Sequence, residues 1–432
     1  MITGMLTPPG AREFTYPPGL AASLGNYTID LDYLREGERF RVTGFPPPRQ
    51  LIADIRHMTG IRGQTCLRLM QEWEWDFLMV VFTGIDRVSH FFWEHLQGRR
   101  TPASEDSIGD EVQSYLSGLD TIIGRLVKQV GQSATIIVMS DHGFGPAPKW
   151  RLHLNIWLEK IGLLHLREGV RNFVNLEYLR IKMGRNRPLK ALLQRFVPQQ
   201  VQEAVEGATQ EMRYDFIDWS RTLAYYVPLY FHVCGIEVNL RGRNREGVVS
   251  FGQEYEVLLE KIIAEAKRLM DHQNGARIVR EVYRREELYN GPRTADFPDI
   301  ILVLDPFYSG AGSLAGTRVI EPILRPTRSG DHRREGVFIA AGPWVRPRAN
   351  LAGLRLLDVP PTLLYLLGVP IPPSFEGRVL EEIFQPEFLD AHPVVHSARP
   401  SSRDVPVDSS PGYTEKEERL LEGRLRGLGY LD

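Results

Sequence analysis

Two cysteines, Cys66 and Cys234, are all that the 432 residues contain. That excludes a disulfide-stapled scaffold and a cysteine-rich zinc module, and leaves two free thiols in a reducing compartment as the plain reading. No apolar run reaches the ~18 residues of a membrane span. The opening Met1-Ile2-Thr3-Gly4-Met5, followed by Pro8 and Pro9, has neither the basic region nor the apolar stretch of a signal peptide, so the expected location is cytoplasmic. An excess of one charge is also lacking. The 52 basic residues meet 54 acidic ones for a net charge of −2, which argues against a nucleic-acid duplex as partner. Lysine is scarce, with eight of those 52. Arginine forks suit phosphate and carboxylate oxygens, although genome composition gives the same skew. The rest is ordinary globular usage, 43% hydrophobic and 25% charged. At roughly 150 residues per domain, the length fits about three domains, or one large core carrying an insertion.

The first fifty residues are punctuated by Pro8-Pro9-Gly10, Pro17-Pro18-Gly19 and Pro46-Pro47-Pro48 and read as turns. Apolar runs of strand length follow at 76–83, 134–139, 298–304 and 336–342, each apolar on both faces as in a sheet covered by helices. Residues 235–240 alternate like a strand. Helical spacing marks 107–130 and 252–271, and 361–368 begins with proline and ends on glycine. The stretch 149–235 is basic, aromatic and helical, without such runs. Strands alternating with helices imply an α/β three-layer sandwich: a mostly parallel central sheet, helices on both faces and an inserted cap. The expected organisation is core at 1–148, cap at 149–235, core again at 236–385, and a linker with a charged terminal helix at 386–432.

Three segments place Asp or His beside an apolar strand: Asp86-Arg87-Val88-Ser89-His90, Asp141-His142, and His332 within Gly330-Asp331-His332-Arg333. Open α/β sheets bind ligands outside the carboxyl ends of their strands. A residue at a strand end and another four positions on in a helical turn can converge on one ion. Carboxylate oxygen with imidazole nitrogen suits Zn²⁺, then Mn²⁺, and a mixed Asp/His set leaves an open coordination position. Plainer readings stand beside this one. Asp86 caps a helix, His90 packs beside Phe91, Phe92 and Trp93, and Asp141-His142-Gly143 and Gly330-Asp331-His332 are turns. Lys149, Arg151 and His153 read as a solvated basic face before a phosphate site. Ser309 to Ser313 lacks the Gly-Lys-Ser/Thr of a P-loop and reads as a flexible loop. Tyr225, Tyr226, Tyr230 and Phe231 are candidates for a pocket under the cap.

Val138-Met139-Ser140-Asp141-His142-Gly143-Phe144-Gly145 resembles the metal-binding signature of the alkaline phosphatase superfamily. Asp86-Arg87-Val88-Ser89-His90-Phe91-Phe92-Trp93, His332 ahead of the 336–342 run, and Asp358-Val359-Pro360-Pro361-Thr362 narrow the likeness to its type I phosphodiesterase/nucleotide pyrophosphatase branch, across roughly residues 70–382. The resemblance implies two divalent ions at the rim of the sheet. Asp86, His90 and His332 would hold one, and Asp141 and His142 would help hold the other. It implies as substrate a small-molecule phosphate ester or a nucleotide. It also implies an opening strand carrying an aspartate, then a threonine or serine nucleophile. No segment upstream of Asp86 has that pattern. Thr3, Thr7 and Ser23 lack a preceding apolar strand, so the catalytic nucleophile is unassigned and impaired turnover is the expectation. Rival expectations are another superfamily enzyme, such as a phosphomonoesterase or phosphonate hydrolase, and a non-catalytic metal- or ligand-binding protein on the same fold. Neither cysteine lies in the Cys-x-Pro-x-Arg setting of a sulfatase.

Overall fold

The computed structural model describes residues 1–8, 11, 13–31, 47–96, 107–170, 216–230, 232–272, 274–314, 317–324, 328–347, 351–398, 413–414 and 417–422. They fall into two compact units, Met1–Pro146 with Thr327–Asp432, and Ala147–Pro326.

The first unit opens with a single helical turn, α1 (Leu20–Ser23), before three longer helices: α2 (Pro48–Glu72), α3 (Gly84–Leu96) and α4 (Ser107–Val130). Proline at the first turn of α2 sacrifices no intrahelical hydrogen bond. The three pack around Ile52, Ile55, Met58, Val88, Phe92, Val112 and Tyr115. Burying one such side chain contributes about 1.5–3 kcal/mol. Gly84 starts α3 because nothing larger fits: a Cβ there would stand 2.5 Å from the Tyr115 hydroxyl and 2.6 Å from Thr59 Oγ1. Two antiparallel pairs complete the described sheet structure of this unit. β1 (Ile136–Met139) pairs with β13 (Phe338–Ala341), and β2 (Gly143–Pro146) pairs with β12 (Gly330–Arg333). Towards the end of the chain, α8 (Val359–Leu366) and α9 (Pro386–Ala391) enclose Tyr365, Ile371, Leu380, Phe384 and Phe388. Gly368 stops α8 at φ +67°. Residues 417–422 are helical, within the expected terminal helix.

In the second unit β3 (Trp150–His153) lies between β10 (Tyr308–Ala311), its parallel neighbour, and β11 (Ile320–Pro322), its antiparallel one. α5 (Leu154–Lys160) follows β3 directly. A four-stranded antiparallel sheet runs in the order β4 (Ala224–Tyr230), β5 (Val233–Val238), β9 (Ile300–Leu304), β8 (Val279–Arg284). α6 (Gln253–Lys267) buries Tyr255, Leu258, Leu259, Ile262 and Ala266, and these join the core formed with Ile236, Ile300 and Leu302. A two-residue ladder, β6 (Met270–Asp271) with β7 (Ala276–Arg277), and the turn α7 (Arg285–Leu288) complete it. Of the stretch 149–235 expected to form a cap, residues 171–215 and 231 lie outside the described residues.

The mixture of helices and strands is that of an α/β protein, but the expected sheet needs correction. Among the described residues, β10 with β3 is the one parallel pair of strands, and every other strand ladder is antiparallel. The run 76–83 forms no strand, and Phe77, Met79 and Val81 are 49%, 72% and 54% exposed. In place of a ladder partner, the Val81 carbonyl accepts from Arg62 Nη1 at 2.7 Å. β1 and β13 pair with each other alone, which leaves Val138, Met139 and Ile339 exposed where burial was expected. Only the run at 298–304 becomes a buried central strand, β9. An apolar run reports that a strand needs cover on both faces; it does not report which partner supplies the cover.

A candidate metal centre around Asp86

Asp86 lies in the first turn of α3 and His90 one turn later, so both side chains leave the same face of the helix. α3 departs from helical geometry just beyond, at Phe92. β12 brings His332 to this face. Its close approach depends on Gly330, where a Cβ would stand 2.1 Å from the Ser89 carbonyl oxygen and 2.8 Å from Trp93 Cβ. The Ser329 N–H donates to the His90 carbonyl (2.9 Å), and the Trp93 N–H donates to Ser329 Oγ (2.8 Å), tying the segment before β12 to α3. β2 pairs with β12 so that Phe144 lies opposite His332, with His142 just before the strand.

One oxygen is the focus. Asp86 Oδ1 stands 3.3 Å from His332 Nε2, 3.7 Å from His90 Nε2 and 3.8 Å from His142 Nε2. Asp86, His90 and His332 each offer a ligand atom within 4.8 Å of the others. The other oxygen, Oδ2, accepts from Arg87 Nη1 at 2.6 Å. The imidazoles of His142 and His332 lie 3.9 Å apart between centroids, those of His90 and His332 4.7 Å. Phe144 backs all three rings, at 4.9, 5.0 and 5.4 Å from His90, His332 and His142. Asp141 is the outlier. Its side chain is 74% exposed, and its Oδ1 is 3.6 Å from His142 Nε2.

The electrostatics suit a cation. His90 is held well below the ordinary histidine value, to about 4. Burial is the main cause, with His332 and Arg328 acting the same way and Asp86 and the Gly330 carbonyl opposing. It is therefore a neutral imidazole at pH 7, the form that ligates metal. Its Nδ1 faces the Gly330 carbonyl at 3.2 Å. With Nδ1 as the donor, the Nε2 lone pair points toward Asp86. His142 repeats the arrangement, with Nδ1 3.1 Å from the Gly143 carbonyl. Backbone acceptors on the outer ring nitrogen are how proteins fix the tautomer of a metal-binding histidine. One carboxylate and three imidazoles, with no sulfur, make a donor set that fits Zn²⁺.

The structure thus brings together Asp86, His90, His142 and His332, and sets Asp141 outward beside His142. Two groups around Asp86 were not read from the sequence. Arg87 is fully buried, and Phe144 forms the aromatic wall. The signal for Arg87 was its place among the residues of α3 that turn inward, Val88, Ser89 and His90. Other candidates resolve as structural. Asp358 is buried, with its carboxylate accepting the backbone N–H groups of Arg355 (3.0 Å) and Arg378 (3.1 Å). His153 leaves the solvated basic face expected for it: it is 5% exposed, with Nε2 3.6 Å from Glu321 Oε2. Tyr226 is buried, its N–H donating to Asn155 Oδ1. Phe231 lies outside the described residues.

A family model of the type I phosphodiesterase / nucleotide pyrophosphatases matches residues 53–332. The chain belongs to that family. The matched span takes in Asp86, His90, Asp141, His142 and His332. Among solved structures, it is similar to phosphonoacetate hydrolase from Sinorhizobium meliloti 1021 in complex with phosphonoformate, at 14% identity, 69% of this chain, 53% of that one and a TM-score of 0.34. It is similar also to human ectonucleotide pyrophosphatase / phosphodiesterase 5, at 13% identity, 79% of this chain, 63% of that one and a TM-score of 0.34. The inactive murine counterpart in complex with AMP gives 14%, 67%, 56% and 0.31. The chain thus spans between about half and under two-thirds of the length of these structures. No curated protein sequence matches it.

Proposed function

We propose that this family member is a metal-dependent hydrolase of phosphoric esters, acting on a small-molecule phosphodiester or nucleotide with two divalent ions, Zn²⁺ before Mn²⁺. The observation that carries the reading is the convergence of three imidazoles from α3, the 141–143 turn and β12 on Asp86 Oδ1. In this reading Asp86, His90 and His332 hold one ion, and His142 with Asp141 contributes to the second. When bound, such a pair of cations polarises a phosphoryl oxygen and lowers the pKa of an attacking hydroxyl. The protein's own groups hold the donors in place. Arg87 fixes which Asp86 oxygen faces inward, the Gly330 and Gly143 carbonyls orient His90 and His142, and Phe144 keeps water from the rear of the rings.

Turnover by these residues alone is expected to be slow. Thr3 donates its hydroxyl to the Phe14 carbonyl (3.1 Å), Thr7 to that of Gly4 (2.7 Å) and Ser23 to that of Leu20 (2.9 Å). Each of these hydroxyls upstream of Asp86 is engaged with backbone. The buried thiols of Cys66 and Cys234 support a reducing, cytoplasmic setting.

Metal analysis of the purified chain tests the reading, together with hydrolysis of bis(p-nitrophenyl) phosphate and p-nitrophenyl phosphate before and after EDTA dialysis. Bound zinc is expected, with a slow diesterase activity lost on chelation. Asp86→Asn should weaken cation binding by about 100-fold, roughly 2.7 kcal/mol. Diester hydrolysis that survives both EDTA and Asp86→Asn sinks the assignment.

A further inference from the structure

Behind Asp86 stands a second carboxylate that no motif marks. Arg87 extends from α3 into the interior with a side chain of zero exposure. Its Nη1 meets Asp86 Oδ2 at 2.6 Å. Its Nη2 meets Asp30 Oδ2 at 3.1 Å and lies 3.6 Å from Met5 Sδ. The Asp30 side chain also has zero exposure, and its Oδ1 accepts the Leu31 N–H at 2.8 Å. Arg62 holds the loop that carries it, donating Nη2 to the Ile29 carbonyl at 2.6 Å and Nη1 to that of Val81 at 2.7 Å. One guanidinium thus joins the loop at 29–31 to the carboxylate facing the three imidazoles.

We infer that Asp30 is a positioning residue for the cation site, acting through Arg87. The inference rests on the metal-centre reading above and names the residue that keeps that centre charged. A buried guanidinium with a single carboxylate partner forms a neutral pair, and a neutralised Asp86 has little charge left to offer a cation. Asp30 supplies a second negative charge to the same guanidinium, so the Asp30–Arg87–Asp86 group carries net −1. Arg87 fixes Oδ2 while Oδ1 stays directed at His90, His142 and His332. Asp30 also holds the far end of the fork, so Arg87 does not swing toward Oδ1. Outer partners of this kind tune metal affinity by about 10–100-fold. Buried charges with one partner removed are costly, so Asp30 and Arg87, both fully buried, hold each other in place.

The test is a Co²⁺ titration of the EDTA-treated full chain, followed by visible absorption, with apo-state melting recorded alongside. Asp30→Asn should bind Co²⁺ about 10–100-fold more weakly than the unmodified chain while melting cooperatively without metal. Asp30→Glu, which keeps the charge, should recover most of the affinity. Adding Arg87→Met to Asp30→Asn should weaken Co²⁺ binding no further, because Asp30 acts through that arginine and its removal leaves Asp86 un-neutralised. If Asp30→Asn does not fold, Arg87→Lys decides, since it keeps the charge and loses the fork; it should weaken Co²⁺ binding about tenfold and shift the d–d band. Unchanged Co²⁺ affinity in the deciding variant overturns the role of Asp30 and leaves the metal centre standing. Failure of the unmodified chain to bind Co²⁺ overturns both.

Discussion

Each unit holds an aspartate within a cluster of polar side chains, fully buried at Asp299 and partly exposed at Asp86, and the two are surrounded in opposite ways. Asp299, in the second unit, is saturated with donors. Arg243 reaches both its oxygens at 2.8 and 2.6 Å, the Tyr255 hydroxyl donates at 2.7 Å and the Val238 N–H at 2.7 Å, and Arg285 stands at 3.1 Å. Burial pushes the Asp299 carboxyl up, but those hydrogen bonds outweigh it and hold the carboxyl below its usual range. The same burial, with Asp299 alongside, drives the Tyr255 phenol up. Asp86 has one oxygen on a guanidinium and the other among three imidazole nitrogens, within hydrogen-bond reach of His332 Nε2 at 3.3 Å and 3.7 and 3.8 Å from those of His90 and His142. A carboxylate whose lone pairs are all spoken for is a brace. One that presents an oxygen to three imidazoles from separate segments has the donor set proposed here for a cation.

The sharpest way to break that contrast is Asp299→Asn. It leaves two arginines with a buried amide, and should cost about 3–5 kcal/mol of stability. Urea unfolding would read this as a lowered midpoint, while Co²⁺ affinity per folded chain stays unchanged. Coupled losses in both would dissolve the distinction between brace and ligand.

A second effect concerns pH. His90 moves from about 6.5 in the unfolded chain to about 4 in the folded one. The unfolded state therefore binds the extra proton between those values. Stability of the metal-free chain is fully present above pH 6.5 and is lost as the pH falls toward 4, with a ceiling of about 3 kcal/mol. Urea midpoints in EDTA at pH 7 and pH 5 should show the fall, and His90→Gln should flatten that part of the slope. An identical slope in the variant would assign the acid sensitivity elsewhere.

The smallest expected effect is Gly330→Ala. The new methyl meets the Ser89 carbonyl at 2.1 Å, so β12 must back away from α3 at a cost of about 1–3 kcal/mol. Because His332 moves with it, Co²⁺ binding should weaken more than the melt shifts. The reverse order would mean that the strand carries no ligand.

The cluster was legible because it is mostly local geometry. Asp86 and His90 are one helical turn apart, and Asp141-His142 and His332 sit in short segments whose chemistry shows in the residues themselves. Asp30 was hidden for the opposite reason. It sits in an irregular loop, 57 positions from the arginine it contacts, and no periodicity links the two. The helices at 107–130 and 253–267 were readable because a 3.6-residue stripe is a local property, although the expected 252–271 overran into β6 (Met270–Asp271). Sheet direction was not, because the runs at 134–139 and 336–342 are equally apolar whether their neighbour is parallel or antiparallel. Residues 77–81 show the limit of such reasoning: their composition asks for cover on both faces, while the Val81 carbonyl bonds to Arg62 and Phe77, Met79 and Val81 face water.

Pro146 and Gly330 are partners across the β2–β12 ladder. The polypeptide therefore departs from its first unit and comes home at a single doorway, roughly one strand spacing of about 4.8 Å wide. A short turn could close that doorway with the whole intervening stretch removed, and all four inward-facing donors would be kept. Such a shortcut would show whether the first unit holds Asp86, His90, His142 and His332 together by itself.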